Sequence, residues 1–141
     1  MNYTPFPKFI LVIGICLSAL CIGGVCAQVM GDLPTYNEHD TATTAYLDKD
    51  SYFFVELPEN PTTDYTWTLS VSDGLSILDT KFVAADNPLG LDGVRGTRVW
   101  CIKATKPGDQ TIKGTHTSSS WWWSTTTATY SLKVHVSAPG S

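Results

Sequence analysis

The segment from Tyr65 to Val71 constrains the fold more than any other part of the sequence, because its residues alternate strictly between apolar and polar. All four odd-numbered positions are apolar, whereas positions 66, 68 and 70 hold Thr, Thr and Ser. Successive side chains of a β-strand point to opposite faces, so this pattern predicts a strand with one face in the core and one in water. No window shows the apolar period of an amphipathic helix. The chain is therefore predicted to be all-β.

Further short segments of strand-like composition are separated by Gly, Pro, Asn and Asp. A first strand pair is predicted at 44–47 and 51–57, followed by strands at 65–71, 75–84, 97–105, 110–117 and 125–136, with a loop of Ser and Trp residues before the last strand. Trp67 and Trp100 fall within strands and are predicted to lie in the core. About seven antiparallel strands in one domain of this size are typical of an immunoglobulin-like β-sandwich, which is the predicted fold class.

The first 27 of the 141 residues are predicted to be a signal peptide. Lys8 precedes an apolar run over residues 9–22, and Val25-Cys26-Ala27 resembles a signal-peptidase site. An uncleaved anchor is the alternative, since residues 9–26 approach the roughly 20 apolar residues that span a bilayer. The prediction is a secreted or extracytoplasmic domain over residues 28–141, which is held at a membrane only if the N-terminal segment is retained.

Charge and reactive side chains exclude several function classes. Residues 28–141 carry 8 basic and 13 acidic side chains without a Lys or Arg cluster, so nucleic-acid binding is not expected. Cys101 is the one cysteine after the leader, which predicts a buried core residue and no internal disulfide. His39, His116 and His135 lack metal-ligand spacing, and no Ser or Cys nucleophile stands in a recognisable catalytic motif. Neither a metal, nor a cofactor, nor an enzymatic activity is expected.

The most specific motif begins at Asn60 and reads Asn-Pro-Thr-Thr-Asp-Tyr-Thr-Trp. It resembles the hallmark of the chagasin-like inhibitors of papain-family cysteine proteases, Asn-Pro-Thr-Thr-Gly-aromatic-x-Trp, with agreement at seven of eight positions. The resemblance continues through Gly-Val-Arg-Gly-Thr-Arg-Val-Trp at 93–100 and Lys-Pro-Gly at 106–108, and it covers most of residues 45–137.

This resemblance implies an immunoglobulin-like sandwich that inserts three loops, at 60–65, 90–97 and 115–125, into the active-site cleft of a papain-like (clan CA, C1) cysteine protease. It implies a reversible, tight-binding inhibitor that acts as a monomer without a cofactor. The residues that it implies for protease binding are Asn60, Pro61, Thr62, Thr63, Asp64, Tyr65, Gly90, Leu91, Gly93, Val94, Arg95, Gly96, Trp121, Trp122 and Trp123.

The first of these loops is expected to be stiff before it binds. Pro61 fixes its own φ and biases Asn60 toward extended backbone. The resemblance implies that Thr62 and Thr63 lie nearest the catalytic cysteine and histidine of the target. Asp64 replaces the family's Gly; if this position requires a positive φ, Asp is among the few other residues that tolerate it. Its negative charge is new and leaves affinity and target preference open.

The second and third loops allow more than one interpretation. Gly90, Gly93 and Gly96 permit close backbone approaches, although a flexible connection would use glycine as well. Three consecutive tryptophans point to both sides of an extended chain, so at least one should be exposed, and exposed tryptophan usually indicates a partner. The family has Arg-Pro-Trp here, and its absence leaves the contacting tryptophan open, with Trp121 or Trp122 favoured. The alternative function is an exported carbohydrate-binding or adhesion module that uses the tryptophans.

Overall fold

The computed structural model describes residues 33–86, 88–90, 93–120 and 122–140, without the side chains of Ser119 and Ser120. The predicted signal peptide, residues 1–27, lies outside the described residues. In the described part, one short 3-10 helix, Glu38–Asp40, accompanies eight β-strands. No helix within these ranges has the length and apolar character needed to cross a membrane.

The eight strands form two four-stranded sheets. Sheet A has the order β1 (Thr35–Asn37), β3 (Tyr52–Glu59), β6 (Gly96–Ala104) and β5 (Leu75–Ala84). Sheet B has the order β2 (Thr44–Asp48), β8 (Trp123–Ser137), β7 (Gly108–Ser120) and β4 (Tyr65–Val71). Neighbouring strands are antiparallel except at one edge of each sheet, where β1 pairs with β3 and β2 pairs with β8 in parallel.

The predicted sandwich is confirmed, and β4 and β5 have the predicted bounds. The predicted pair of 44–47 with 51–57 is wrong, because β2 and β3 lie in different sheets. The intervening turn carries the chain across the sandwich: Asp50 adopts a φ of 67°, and its N–H donates to the Ala104 carbonyl at 2.7 Å. Strand β1 was not predicted, since its three residues are too few to show an alternation.

The main core lies between the two sheets, where inward-facing apolar side chains of both meet. Its buried members are Ala45, Leu47, Phe53, Val55, Leu57, Leu75, Trp100, Ile102, Ala104, Ile112, Tyr130, Leu132, Val134 and Val136. Trp100 is 4% exposed, which confirms its predicted core position. Trp67 is half-buried and packs against the core with Leu69 and Val71, while the polar residues of β4 are exposed. Burial of each large apolar side chain contributes about 1.5 to 3 kcal/mol.

A second, smaller apolar cluster is formed by Phe54, Val99 and Cys101, against which Leu33 and Val83 pack. Cys101 is 2% exposed, so its predicted buried position is confirmed. Cys101 is not a free thiol, but it is the one cysteine of residues 28–141, so the prediction of no disulfide within that range is not contradicted. That prediction counted only residues after the proposed cleavage site; the other cysteines, at positions 16, 21 and 26, lie outside the described residues.

Strand directions place three connections at one end of the sandwich. Strands β3, β5 and β7 run toward this end, and β4, β6 and β8 run away from it, as the antiparallel registers require. The connections are residues 60–64, called loop 1, residues 85–95, called loop 2, and the tip of the β7–β8 hairpin at 121–122. The chain segments singled out from the sequence therefore share one end, called the loop end.

Candidate functional site

Loop 1 is held in shape by its own side chains. The Asn60 Oδ1 accepts hydrogen bonds from the Thr62 N–H at 3.1 Å and from the Thr62 hydroxyl at 2.6 Å. The Asn60 carbonyl accepts from the Thr63 N–H at 3.1 Å and from the Thr63 hydroxyl at 2.7 Å. Asn side chains commonly close such turns by bonding the backbone two residues ahead. Residues 61–64 are exposed, so the loop presents a preformed surface to solvent.

Two hydrogen bonds from Trp67 close the base of loop 1. Its backbone N–H donates to Glu59 Oε2 at 3.0 Å, and its indole Nε1–H donates to the Pro58 carbonyl at 2.8 Å. These bonds join the last residues of β3 to the first residues of β4. The loop is therefore anchored on both sides by ordered strands.

Glu59 is a buried carboxylate at the loop end, with a side chain that is 0% exposed. Its Oε1 accepts from Arg98 Nε at 3.1 Å and from Arg98 Nη2 at 2.6 Å, while Oε2 accepts from the Trp67 N–H. A buried charge is stable only when it is paired and hydrogen-bonded, and all three bonds provide this. The Arg98 guanidinium also lies 5.8 Å from the centre of the Phe82 ring.

Loop 2 lies beside loop 1. Its base is closed by the Ala85 N–H, which donates to the Arg95 carbonyl at 2.9 Å. Gly90 and Gly93 have φ values of 61° and 85°, which residues other than glycine rarely adopt. A methyl group placed on Gly93 would lie 3.6 Å from the Thr62 hydroxyl, so the two loops are in near contact. Leu91, predicted to bind the protease, lies outside the described residues.

Gly96 is required for a different reason from the other loop 2 glycines. It is the first residue of β6, and an added Cβ would lie 2.3 Å from the Val83 carbonyl oxygen and 2.4 Å from the Phe82 ring. No real Cβ tolerates such a distance to backbone, so the strands must separate if the residue is larger.

We expect Gly96→Ala to destabilise the domain by about 1 to 3 kcal/mol through this overpacking. Gly90→Ala is the matched control, because nothing lies within 4 Å of its added Cβ and only its positive φ of 61° opposes the change. Urea unfolding monitored by tryptophan fluorescence measures both variants. Equal stability of Gly96→Ala and the native protein would contradict the close approach.

The third segment is a long hairpin rather than a loop. Strand β7 continues to Ser120 and β8 begins at Trp123, so the predicted Ser and Trp loop is wrong for most of its length. Both strands extend the ladder beyond the sandwich, and residues 123–129 are all exposed. Trp122 and Trp123 are 68% and 70% exposed, which confirms that at least one tryptophan faces solvent. Trp121 lies outside the described residues.

A concave site of about 360 Å³ opens between the two sheets at the loop end. It is lined from loop 1 and its base by Pro58, Glu59, Asn60, Thr63 and Tyr65, from loop 2 and β6 by Arg95 and Gly96, and from the hairpin by His116 and Thr127. The structure thus brings members of all three predicted segments around one opening. Within the described ranges, no group of three or more His, Cys, Asp or Glu side chains is placed to hold a metal ion.

Comparison with known proteins identifies the family. The model of the chagasin family peptidase inhibitors, I42, matches residues 46–134. The chain belongs to this family. The chagasin family consists of inhibitors, which confirms the predicted inhibitory function and the prediction that the chain is not an enzyme. A search of curated protein sequences found no significant match.

Solved structures share the fold of this chagasin-family chain. The cysteine protease inhibitor EhICP2 from Entamoeba histolytica superposes with a TM-score of 0.67 at 21% identity, and the match covers 74% of this chain and 96% of that one. Amebosin superposes with a TM-score of 0.59 at 28% identity, over 76% of this chain and 100% of that one. The sandwich seen here is therefore a fold that this chain shares with both of these proteins.

Asp64 is the departure from the chagasin hallmark in loop 1. Asp64 is exposed, and its φ is not positive. Among the non-glycine residues that the structure describes, those with a positive φ are Ala42 and Asp50. The position therefore requires no glycine in this protein, and tolerance of a left-handed conformation is not what allows Asp here. Its carboxylate adds a negative charge to the exposed surface of loop 1.

Sequence reasoning missed three residues that support the loops of this chagasin-family domain: Glu59, Arg98 and His116. Glu59 had a usable signal, since it continues the inward alternation of Phe53, Val55 and Leu57. Arg98 and His116 had none, because their partners lie 39 positions away in Glu59 and 49 positions away in Trp67.

Proposed function

We propose that this chain is a reversible, tight-binding inhibitor of papain-like cysteine proteases that inserts loop 1, loop 2 and the tip of the hairpin into the active-site cleft. The observation that supports this most directly is the preformed loop 1, whose exposed Thr62 and Thr63 are bonded back to Asn60. Loop 2 and the hairpin flank it at the same end.

Loop 1, loop 2 and the hairpin tip are together called the wedge. The shape that loop 1 already has in the free protein explains how the wedge would bind tightly. A flexible loop must lose conformational freedom when it docks, whereas a loop already fixed by four hydrogen bonds loses little. Thr62 and Thr63 then occupy the cleft near the catalytic cysteine and histidine. The same bonds hold the loop backbone in a turn, so it fills the cleft without presenting an extended segment for cleavage.

The exposed tryptophans provide the anchoring surface. Tryptophan is enriched among the residues that dominate binding energy, because its large ring is buried in a partner's pocket. Trp122 and Trp123 stand at the hairpin tip, where a partner that meets loop 1 would also reach them. Loop 2 contributes backbone groups through Gly93 and the neighbouring Val94 and Arg95.

The test is a titration of active-site-quantified papain with the purified protein, with residual hydrolysis of a small fluorogenic substrate as the readout. Stoichiometric loss of activity that reverses on dilution, with the added protein left intact, supports the proposal. Absence of inhibition of papain and of a panel of cathepsin-type proteases by a folded sample contradicts it. Such a result would favour the carbohydrate-binding alternative, which glycan arrays would then examine.

We expect alanine substitution of Trp122 or Trp123 to raise the inhibition constant by about 10- to 100-fold for the residue that anchors the protease. Both side chains are largely exposed, so the melting temperature should stay unchanged. Tyr46→Ala is the matched control, because Tyr46 is 75% exposed on β2, outside the loop end. Unchanged inhibition in both tryptophan variants would contradict a role of the hairpin tip.

We further propose that the domain is exported, with residues 1–27 acting as a signal peptide. The support is the order of Lys8, the apolar run and the small residues before Gln28 in the sequence. Intact mass spectrometry of the protein recovered from the culture medium, with and without reduction, tests this. A mass that begins at Gln28 supports cleavage and means that the Cys101 sulfur is not bonded to a cysteine of residues 1–27 in the exported protein. A mass that retains the apolar run indicates an anchor, in which such a bond can persist.

A further inference from the structure

His116 lies at the junction between loop 1 and the hairpin. It is on β7 directly opposite Trp67 of β4. Its imidazole stacks on the Trp67 ring, with ring centroids 4.9 Å apart and planes at 26°. The centroid of the Tyr65 ring lies 5.6 Å from that of the imidazole. Tyr65 follows loop 1 directly, and Trp67 lies two residues further along β4. The histidine therefore touches the strand that supports loop 1.

The same imidazole holds the hairpin through Thr127. The register of β7 with β8 shifts between His116, opposite Ala128, and Thr117, opposite Thr126, so Thr127 is the extra residue of a β-bulge. The Thr127 hydroxyl donates to the His116 carbonyl at 3.3 Å and lies 3.0 Å from His116 Nδ1. Because its single proton is used on the carbonyl, we assign Nδ1–H as the donor to this hydroxyl.

The contacts form one continuous path between the two segments. Thr127 bonds His116, His116 stacks on Trp67, and the Trp67 indole donates to the Pro58 carbonyl at the base of loop 1. The His116 Nε2 is buried and has no hydrogen-bond partner within the described residues, so the contact of Nδ1 with Thr127 is the hydrogen bond that the ring makes there. The bond to Thr127 and the stack on Trp67 together hold the imidazole between the two segments.

We propose that His116 is a positioning residue that couples the direction of the hairpin to the shape of loop 1. On β8 the residues on both sides of the bulge, 123–129, are exposed and have no core packing, so we take the bulge at Thr127 as the point where the direction of the hairpin is set. If loop 1 and the hairpin already have the relative orientation that binding requires, a larger fraction of the free protein is in the binding-competent conformation. This inference rests on the proposed inhibitory function for its effect on affinity, but the coupling itself is a property of the free protein.

The coupling is tested first without a protease, by amide hydrogen exchange in two variants. His116→Phe keeps a stacked ring and removes the bond, and Thr127→Val removes the hydroxyl with little change of shape. Loss of one hydrogen bond corresponds to about 2- to 10-fold faster exchange. We expect this acceleration in residues 124–127 and also at the Thr63 N–H of loop 1, in both variants.

The decisive observation is the effect of Thr127→Val on loop 1, since the substituted residue lies on the hairpin. His135→Phe and Thr129→Val are the matched controls, because both residues are exposed on β8 and His135 pairs with Asp109. Faster exchange confined to the hairpin, or equal acceleration in the controls, would overturn the coupling.

The effect on affinity is tested with papain. We expect the association rate constant to fall by about 2- to 10-fold in each variant, with the dissociation rate constant nearly unchanged. The double variant should associate no more slowly than Thr127→Val, because Thr127→Val already removes the bond that His116→Phe breaks. A lower melting temperature with unchanged rate constants would reduce His116 to a structural role and overturn the proposal. If the native protein fails to inhibit any papain-like protease, the proposed function fails, while the exchange data still decide whether His116 couples the two segments.

Discussion

Replacing Thr62 and Thr63 together by arginine abolishes inhibition of papain-like proteases and leaves the domain folded. We expect the inhibition constant to rise by at least about 100-fold, equivalent to about 2.7 kcal/mol of binding free energy. Both residues are exposed, so the long charged side chains meet no core atoms in the free protein. In the complex they would have to fit into the active-site cleft, and the hydroxyl bonds to Asn60 that shape the loop would also be lost.

The matched control for this double variant is Thr68→Arg with Thr111→Arg. Both control residues are exposed threonines, on β4 and β7, and neither lies in a loop-end segment. The control adds the same two charges and should inhibit like the native protein. Circular dichroism and thermal unfolding verify that both double variants are folded. An inhibition constant of the Thr62 and Thr63 variant within about threefold of the native value would refute the assignment of loop 1 to the protease cleft.

The largest effect on stability is expected for Glu59→Ala, which should lower the free energy of unfolding by about 3 to 5 kcal/mol. The substitution leaves the Arg98 guanidinium without its buried counter-ion and the Trp67 N–H without its acceptor. Removal of one partner of a buried pair costs more than the pair contributes, since the remaining group stays partly desolvated. Urea unfolding at neutral pH measures the loss.

A double-mutant cycle distinguishes the loss of the pair from the loss of packing. Glu59→Leu with Arg98→Met replaces both charges by apolar side chains, and it should recover most of the stability lost in either single variant. The Glu59 side chain is 0% exposed, so Arg98→Met alone leaves a buried carboxylate without its counter-ion. A loss below about 1 kcal/mol in Glu59→Ala would show that water reaches the guanidinium and that the pair is not what anchors loop 1.

The two substitutions separate the surface of the wedge from its support. Thr62 and Thr63 are exposed and contribute to the partner contact, whereas Glu59 is buried one residue before loop 1 and holds its base through Trp67. The first change should therefore weaken binding without lowering the stability of the free protein. The second should alter stability and, through the loosened loop base, the association rate as well.

The sequence by itself determined the fold class and the family. Alternation at 65–71 needs only the two-residue period of a strand, which is a local property of the backbone, and the observed β4 has those bounds. The Asn-Pro-Thr-Thr motif is contiguous, so its resemblance to the chagasin family could be recognised without tertiary structure, and the family is confirmed over residues 46–134. Burial of Trp100 also followed from a single strand pattern.

The tertiary structure alone decided which strands pair and what holds the wedge in place. The assignment of β2 and β3 to different sheets depends on the turn at Asp50, whose hydrogen bond reaches Ala104 on another strand. The pairing of Glu59 with Arg98 and the stacking of His116 on Trp67 join residues 39 and 49 positions apart. Such contacts leave no local periodicity in the sequence, because they arise only when strands from distant segments are brought side by side by the packing of the two sheets.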